Sequence, residues 1–348
     1  MQAKYYKYTL QFKRPAGTSR GVLRTKDTYF LVLYHQGKTG YGECNLFRGL
    51  SADDVPDYEE KMQWLVANIN LPKQEIINYL QDYASLIFGY EQALWSLQSQ
   101  TGFDLFPSDF TQGKTGIAIN GLVWMGEKSF MLQQIKDKIA DGYKIIKLKI
   151  GAIDFQDELD LLRYIRQSFS PEDIEIRVDA NGAFAPENAL EKLKRLSEYH
   201  IHSIEQPIRQ GQFEAMADLC RHSPIPIALD EELIGYNHKL DKVAFLRKIN
   251  PQYIILKPAL HGGFIGTDTW IDAAKELNTD WWITSALESN IGLNAIAQYT
   301  YGLQVQIPQG LGTGSLFTNN IESPLYIQAG KLFYHPENQW RVVFDSKY

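Results

Sequence analysis

Only two cysteines, Cys44 and Cys220, occur in 348 residues. That scarcity excludes a disulfide framework and a thiolate metal site, so both are read as buried free thiols. Nowhere do about 18 apolar residues run uninterrupted, and the N-terminus lacks the apolar stretch of a signal peptide. Neither a membrane span nor secretion is expected, and the chain is placed in the cytoplasm. Basic residues form no stripe and the net charge is −6, which argues against a nucleic-acid partner, since phosphate binding needs clustered Lys and Arg. What is there is a chain with 44% hydrophobic residues, enough for a large core and roughly two domains.

Residues 4–12, 29–34 and 39–44 are rich in β-formers and read as antiparallel strands, with Gln36-Gly37-Lys38 as a hairpin turn. The intervening residues 13–21 are polar and contain Pro15 and Gly17. They are expected to form a loop, and a functional reading makes it a lid offering Arg14 or Arg20 to an anionic substrate. Residues 51–67, with Ser51 as N-cap, then 73–87 and 90–100 read as helices. Strands followed by helices without alternation suggest an α+β unit.

From Thr115 onward strands and helices alternate. Apolar stripes recur at helical spacing, as in Met131, Ile135 and Ile139, or Leu240, Val243, Leu246 and Ile249. Taking residues 117–119 as the first strand, 282–284 as the seventh and 305–307 as the eighth predicts an α/β fold with a (β/α)8 barrel. A doubly wound sheet is disfavoured, because no Gly-rich dinucleotide turn follows the first strand. The expected organisation is an α+β capping domain over 1–110, the barrel over 111–322, and a segment over 323–348 that returns to the capping domain.

Residues 143–150, Tyr-Lys-Ile-Ile-Lys-Leu-Lys-Ile, organise the rest. Alternation in a strand puts Lys147 and Lys149 on one face. Counting from Lys149, each later apolar run ends in a charged residue, at steps of 30, 26, 25 and 27: Asp179, Glu205, Asp230 and Lys257. Strand ends of a barrel converge on one mouth, so three carboxylates and three ammonium groups would meet there. Three convergent anions need a cation or protons between them, and oxygen-only ligands favour a hard ion, here one Mg²⁺ for which Mn²⁺ could substitute. A lysine near a metal and a second ammonium has its neutral form favoured, so Lys149 can serve as a general base. Its target would be a proton on carbon next to a carboxylate, in a small-molecule carboxylate substrate. A Schiff-base aldolase would use Lys257 but leave the acids idle, and an inert metal-binding barrel would have no use for two opposed lysines.

The set Lys147-x-Lys149, Asp179-Ala180-Asn181, Glu205-Gln206-Pro207, Asp230-Glu231 and Lys257 resembles the muconate-lactonising subgroup of the enolase superfamily. The resemblance implies that Asp179, Glu205 and Asp230 bind Mg²⁺, that Lys149 is the base, that Lys147 lowers its pKa, and that Lys257 faces it across the substrate. Residues 119–126, 177–181, 284–292 and 310–314 are similar to the o-succinylbenzoate synthase family of that subgroup. This implies dehydration of a cyclohexadiene carboxylate to an aromatic product in menaquinone synthesis. N-succinylamino acid racemases and related epimerases use two opposed lysines as well, and stand as the alternative. Dipeptide epimerases of the subgroup carry an Asp-x-Asp pair at the eighth strand, where this chain reads Gly310-Leu311-Gly312-Thr313-Gly314. Ser285, Ser289 and Gly312 are candidate contacts for the substrate's tail, and His261 a candidate for the mouth. Gly40-Tyr41-Gly42-Glu43 is read as a structural turn. Monomer and small homo-oligomer both stay open.

Overall fold

The computed structural model describes residues 1–18 and 21–342. The chain opens with strands β1 (Gln2–Thr18), β2 (Gly21–His35) and β3 (Lys38–Cys44), an antiparallel sheet in that order. In its described residues, 13–18 and 21, the expected loop over 13–21 is instead an extension of the β1–β2 hairpin, with Ala16 opposite Leu23 after a register shift. Arg14 is exposed on that arm, while Arg20 lies outside the described residues. The arm is held from outside the sheet. Lys13 N donates to Leu316 O, Thr318 N donates to Gln11 O, and the Phe12 and Phe317 rings lie 4.7 Å apart.

Helices α1 (Tyr58–Ala67), α2 (Lys73–Tyr79) and α3 (Ala84–Gln98) follow. Ser51 does not start α1; its hydroxyl accepts from Phe47 N in a tight turn, and the helix begins seven residues later. The expected helix over 73–87 is broken at Leu80, and its second half joins the next one as α3. This helix packs on β3 through paired glycines: a Cβ on Gly42 would stand 1.9 Å from Gly89 O, and one on Gly89 2.3 Å from Cys44 Sγ. Only glycine allows so close an approach of strand and helix.

The barrel proper consists of β5 (Gly121–Val123), α4 (Lys128–Ala140), β6 (Ile145–Lys149), α5 (Phe155–Ser168), β7 (Glu175–Asp179), α6 (Pro186–Ser197), β8 (Ser203–Glu205), α7 (Phe213–His222), β9 (Ile227–Leu229), α8 (Lys239–Ile249), β10 (Tyr253–Leu256), α9 (Gly263–Leu277), β11 (Asp280–Ile283) and α10 (Asn290–Gly302). The strands from β5 to β11 are parallel and neighbour each other in chain order. Ile146, Leu148, Ile176, Val178, Ile204, Leu229, Ile254 and Leu256 are buried in the layer shared with the helices. Local signals agree with this pattern, as where Asp154 caps α5 by accepting from Gln156 N and Pro186 opens α6.

Both ends of the predicted strand count are displaced. Ile117–Ala118 is β4, which pairs antiparallel with a hairpin of β12 (Leu325–Gln328) and β13 (Lys331–Tyr334) beneath the barrel. The first barrel strand is β5. Residues 305–307 form no strand; Gln309 and Gly310 make the eighth position, bridging Ile119 on one side and Thr284 on the other. Four backbone hydrogen bonds of 2.8–3.0 Å close the ring there. The C-terminal hairpin therefore bonds to the barrel base rather than to the N-terminal strands. Contact with the N-terminal unit comes from Trp340, stacked 4.4 Å from Phe103, which stacks in turn on Tyr41. The predicted strand over 340–344 is described only to Val342. No helix among the described residues is long and apolar enough to cross a membrane.

Candidate active site

Parallel pairing aligns the charged strand ends. Lys149 lies opposite Asp179, and Asp179 opposite Glu205. Glu205 pairs with Ala228, two residues before Asp230, and Lys257 follows the last residue of β10. The regular intervals in the sequence thus become lateral neighbours around one mouth, as strand-end chemistry in this architecture requires. Lys147, Lys149, Asp179, Glu205 and Lys257 all line one cavity of about 400 Å³, with Trp124, Asn181 and Glu231 on its walls and Phe47 and Leu50 of the N-terminal unit above.

The six charged groups are interlocked. Lys147 Nζ pairs with Asp179 Oδ2 at 3.1 Å and with Glu205. Lys149 Nζ lies 3.1 Å from Asp179 Oδ2, donates to Asn181 Oδ1 at 2.6 Å, and sits 5.9 Å from the centre of the Trp124 ring. Lys257 pairs with Asp230. The acids are 1–3% exposed, so solvent barely screens these interactions. Burial opposes the charge on Lys147, yet Asp179 and Glu205 outweigh it and hold the ammonium well above the ordinary lysine range. Burial likewise opposes the Lys257 ammonium, and Asp230 more than restores it. Burial would raise Asp179, but the three lysines pull its carboxyl far below the usual range. Glu205 goes the other way: burial and the neighbouring Asp179 raise it well above a normal carboxylate. Lys147 and Lys257 act against that rise without cancelling it.

Among the described residues, no three acidic, imidazole or thiolate groups stand close enough to form a metal shell as they are. Lys147 lies between Asp179 and Glu205, and Lys257 rests on Asp230. The donor set nevertheless suits a hard cation. Three buried carboxylates end adjacent strands, and Asp230 Oδ1 is buried without a hydrogen-bond partner. Such an orphaned acceptor calls for a cation or a proton.

The strand ends turn sharply, with Asn181, Gln206 and Leu287 at φ of 43°, 41° and 61°. These left-handed conformations cost energy outside glycine and are over-determined by local bonds. Gln206 Oε1 accepts from the N–H groups of Asp230 and Glu232, and its amide donates to Ile208 O and Glu232. Asn181, besides holding Lys149, donates to Glu231 at 3.0 Å.

Of the candidate tail contacts, Ser285 and Gly312 line the cavity and Ser289 and Arg14 do not. Ser285 Oγ is 2.7 Å from Thr313 Oγ1. Ser289 instead caps α10 and donates to Glu43 at 2.6 Å. His261 is buried behind the wall rather than at the mouth, accepting from Lys257 N through Nδ1 at 3.0 Å. Burial pushes its pKa down to about 3, so the ring is neutral. Sequence reasoning assigned no role to Trp124, Asn181, Phe47 or Leu50. Asn181 was signalled by its place two residues beyond Asp179; Phe47 and Leu50 reach the cavity only through the tertiary fold.

Comparison with known proteins agrees with this geometry. The family model for enolase C-terminal domain-like proteins matches residues 131–330. An o-succinylbenzoate synthase from Desulfotalea psychrophila is 48% identical, over 95% of this chain and 98% of its own length. The crystal structure of MenC from that organism superposes with a TM-score of 0.84 at 44% identity, covering 96% of this chain and 99% of that one. A dipeptide epimerase from Cytophaga hutchinsonii, solved with Mg and a dipeptide, shares the fold at a TM-score of 0.81 and 21% identity, over 98% of this chain and 95% of its own. The chain belongs to the enolase superfamily.

Proposed function

We propose that this protein is a magnesium-dependent, cytoplasmic hydro-lyase that converts 2-succinyl-6-hydroxy-2,4-cyclohexadiene-1-carboxylate to 2-succinylbenzoate and water, a step of menaquinone synthesis. The observation that carries the reading is the set of Lys147, Lys149, Asp179, Glu205 and Lys257 around one cavity, with Asp230 paired to Lys257 behind its wall, in a chain 48% identical over nearly its full length to a synthase of this reaction.

Asp179, Glu205 and Asp230 would hold the ion. A divalent cation bound there supplies charge stabilisation for the substrate carboxylate as its α-carbon loses a proton. Lys149, fixed by Asn181 and Asp179 beside Trp124, takes that proton from the ring carbon bearing the carboxylate. The electron pair then expels the ring hydroxyl, and the same lysine returns the proton to it, so the C–O bond breaks with loss of water and the ring becomes aromatic. Lys257, across the cavity, stabilises the negative charge that builds up in the ring. Lys147, held as an ammonium, does the same from below Lys149.

The test follows aromatic product by its ultraviolet absorbance with Mg²⁺ and after chelation. Rapid conversion that disappears with EDTA and returns with Mg²⁺ supports the proposal. No conversion, together with α-proton exchange of N-succinylamino acids in D₂O, would replace it with the racemase reading.

A further inference from the structure

The buried polar groups where the N-terminal unit meets the barrel are not used by the chemistry above. Glu43, at the end of β3, is fully buried. Its carboxylate accepts from Thr28 Oγ1 at 2.9 Å within its own unit, and from Ser289 N at 3.0 Å, Ser289 Oγ at 2.6 Å and Gly292 N at 3.0 Å at the start of α10. Two residues further, Asn45 donates to Ala286 O at 3.0 Å and to Glu288 at 2.9 Å, and accepts from the buried Lys26. Glu288 closes the network by accepting from Ala286 N at 2.7 Å.

All the barrel partners belong to residues 286–292, immediately after β11. Ala286 and Leu287 of that stretch line the cavity together with Ser285 just before it, and Leu287 is held at a φ of 61° that an apolar side chain rarely adopts. On the other side, Phe47 is two residues beyond Asn45 and roofs the same cavity with Leu50. One short stretch, Glu43 to Phe47, therefore bonds to the cavity wall and supplies the cavity roof. A carboxylate at a helix N-terminus accepting backbone N–H bonds is a strong, directional contact, more so when buried. Burial disfavours the charge on Lys26, and the nearby Glu43 and Glu288 act against that.

We infer that Glu43, with Asn45, is a positioning residue for the reaction: it fixes wall residues 285–287 and roof residues Phe47 and Leu50 as one unit around the part of the substrate remote from the reacting carbon. This inference rests on the proposed synthase reading for its substrate. Positioning of a non-reacting part of the substrate acts alike on ground and transition states, so its loss raises KM and leaves kcat nearly unchanged. A merely structural role would lower the amount of active enzyme, reducing apparent kcat while leaving KM alone.

Two measurements on Glu43→Gln test it. In steady-state turnover KM rises about tenfold or more with kcat within a few-fold of wild type, the scale expected for losing hydrogen bonds to a charged group. In hydrogen exchange, the amides of Ala286, Ser289 and Gly292 exchange at least about tenfold faster, while those of the distant helix α6 keep their wild-type rates. Ser289→Ala, which removes one of the four bonds together with the Oγ cap on Ile291 N and leaves the carboxylate in place, gives smaller changes in KM and in exchange at Gly292 in the same direction and serves if Glu43→Gln does not fold. Unchanged KM with reduced kcat, or unchanged exchange at Ser289 and Gly292, would overturn the inference. If wild type shows no turnover, the synthase reading fails on its own, and the exchange measurement still decides whether Glu43 fixes the wall.

Discussion

Replacing Lys147 by methionine keeps an unbranched side chain one atom shorter and removes its charge. The ammonium lies 3.1 Å from Asp179 Oδ2 and also pairs with Glu205, two carboxylates almost wholly out of water. Removing one partner of such a buried pair costs about 3–5 kcal/mol. Glu205 can relieve part of this by protonation, because burial and Asp179 already hold it above the normal range, so the lower end, about 3 kcal/mol, is expected. Spread over the unfolding entropy of a chain of 348 residues, that lowers Tm by about 4 °C. A cation that binds the three acids at about 100 times its Kd stabilises by about 2.7 kcal/mol, again about 4 °C. Scanning calorimetry of wild type and Lys147→Met, with EDTA and with excess Mg²⁺, therefore shows a gap without the metal and an upward shift of both proteins with it. The shift is at least as large in the variant, whose acids no longer share an ammonium. Equal Tm values in EDTA would refute the electrostatic argument, and Tm values that Mg²⁺ does not move would refute the ligand set.

Other perturbations probe separate parts of the structure. Glu91, buried on α3, accepts from Phe264 N and Ile265 N at the start of α9, and burial pushes its pKa up from 4.5 to about 7. A raised acid contributes stability that is present below pH 4.5 and lost as pH rises through 7, so Glu91→Gln, relative to wild type, gains up to about 3 kcal/mol between those values in denaturant unfolding. A difference independent of pH would contradict the assignment. Gly42→Ala drives a methyl into Gly89 O and lowers stability by about 3 kcal/mol or more in the same assay; a neutral outcome would mean that β3 and α3 are not packed as described. Trp124→Ala removes the ring beside Lys149 and is expected to reduce kcat/KM in the product assay, whereas unchanged turnover would show that the ring does not shape the base's surroundings.

The charged ring of the site was legible because a barrel converts equal spacing in sequence into neighbours in space. Lys149, Asp179 and Glu205 turn out to be direct cross-strand partners. Where local pattern alone had to decide, it missed. Ile117–Ala118 has the composition of a barrel strand, and Ala118 O does accept from Gln309 N at the closing seam, yet its ladder partner is β13, more than 200 residues away. Residues 13–21 look like a loop because Pro15 and Gly17 are poor strand formers, but residues 13–18 continue β1, paired with β2 and anchored at residues 11–13 by contacts with residues 316–318 near the other end of the chain. Ser289 has the chemistry of a substrate ligand, and its partner Glu43 is 246 residues away. A side chain's commitment to such a distant partner leaves no periodic trace.

The central claim is that Lys149 moves the proton at carbon. Its most direct test is kcat of Lys149→Ala beside wild type, with the Mg²⁺-induced rise in Tm recorded for both to show that the acids still bind the ion. Loss of a positioned base lowers turnover by about 10²–10⁴-fold or more, and the account predicts that loss with the thermal shift retained. A variant that keeps turnover within tenfold of wild type would contradict it.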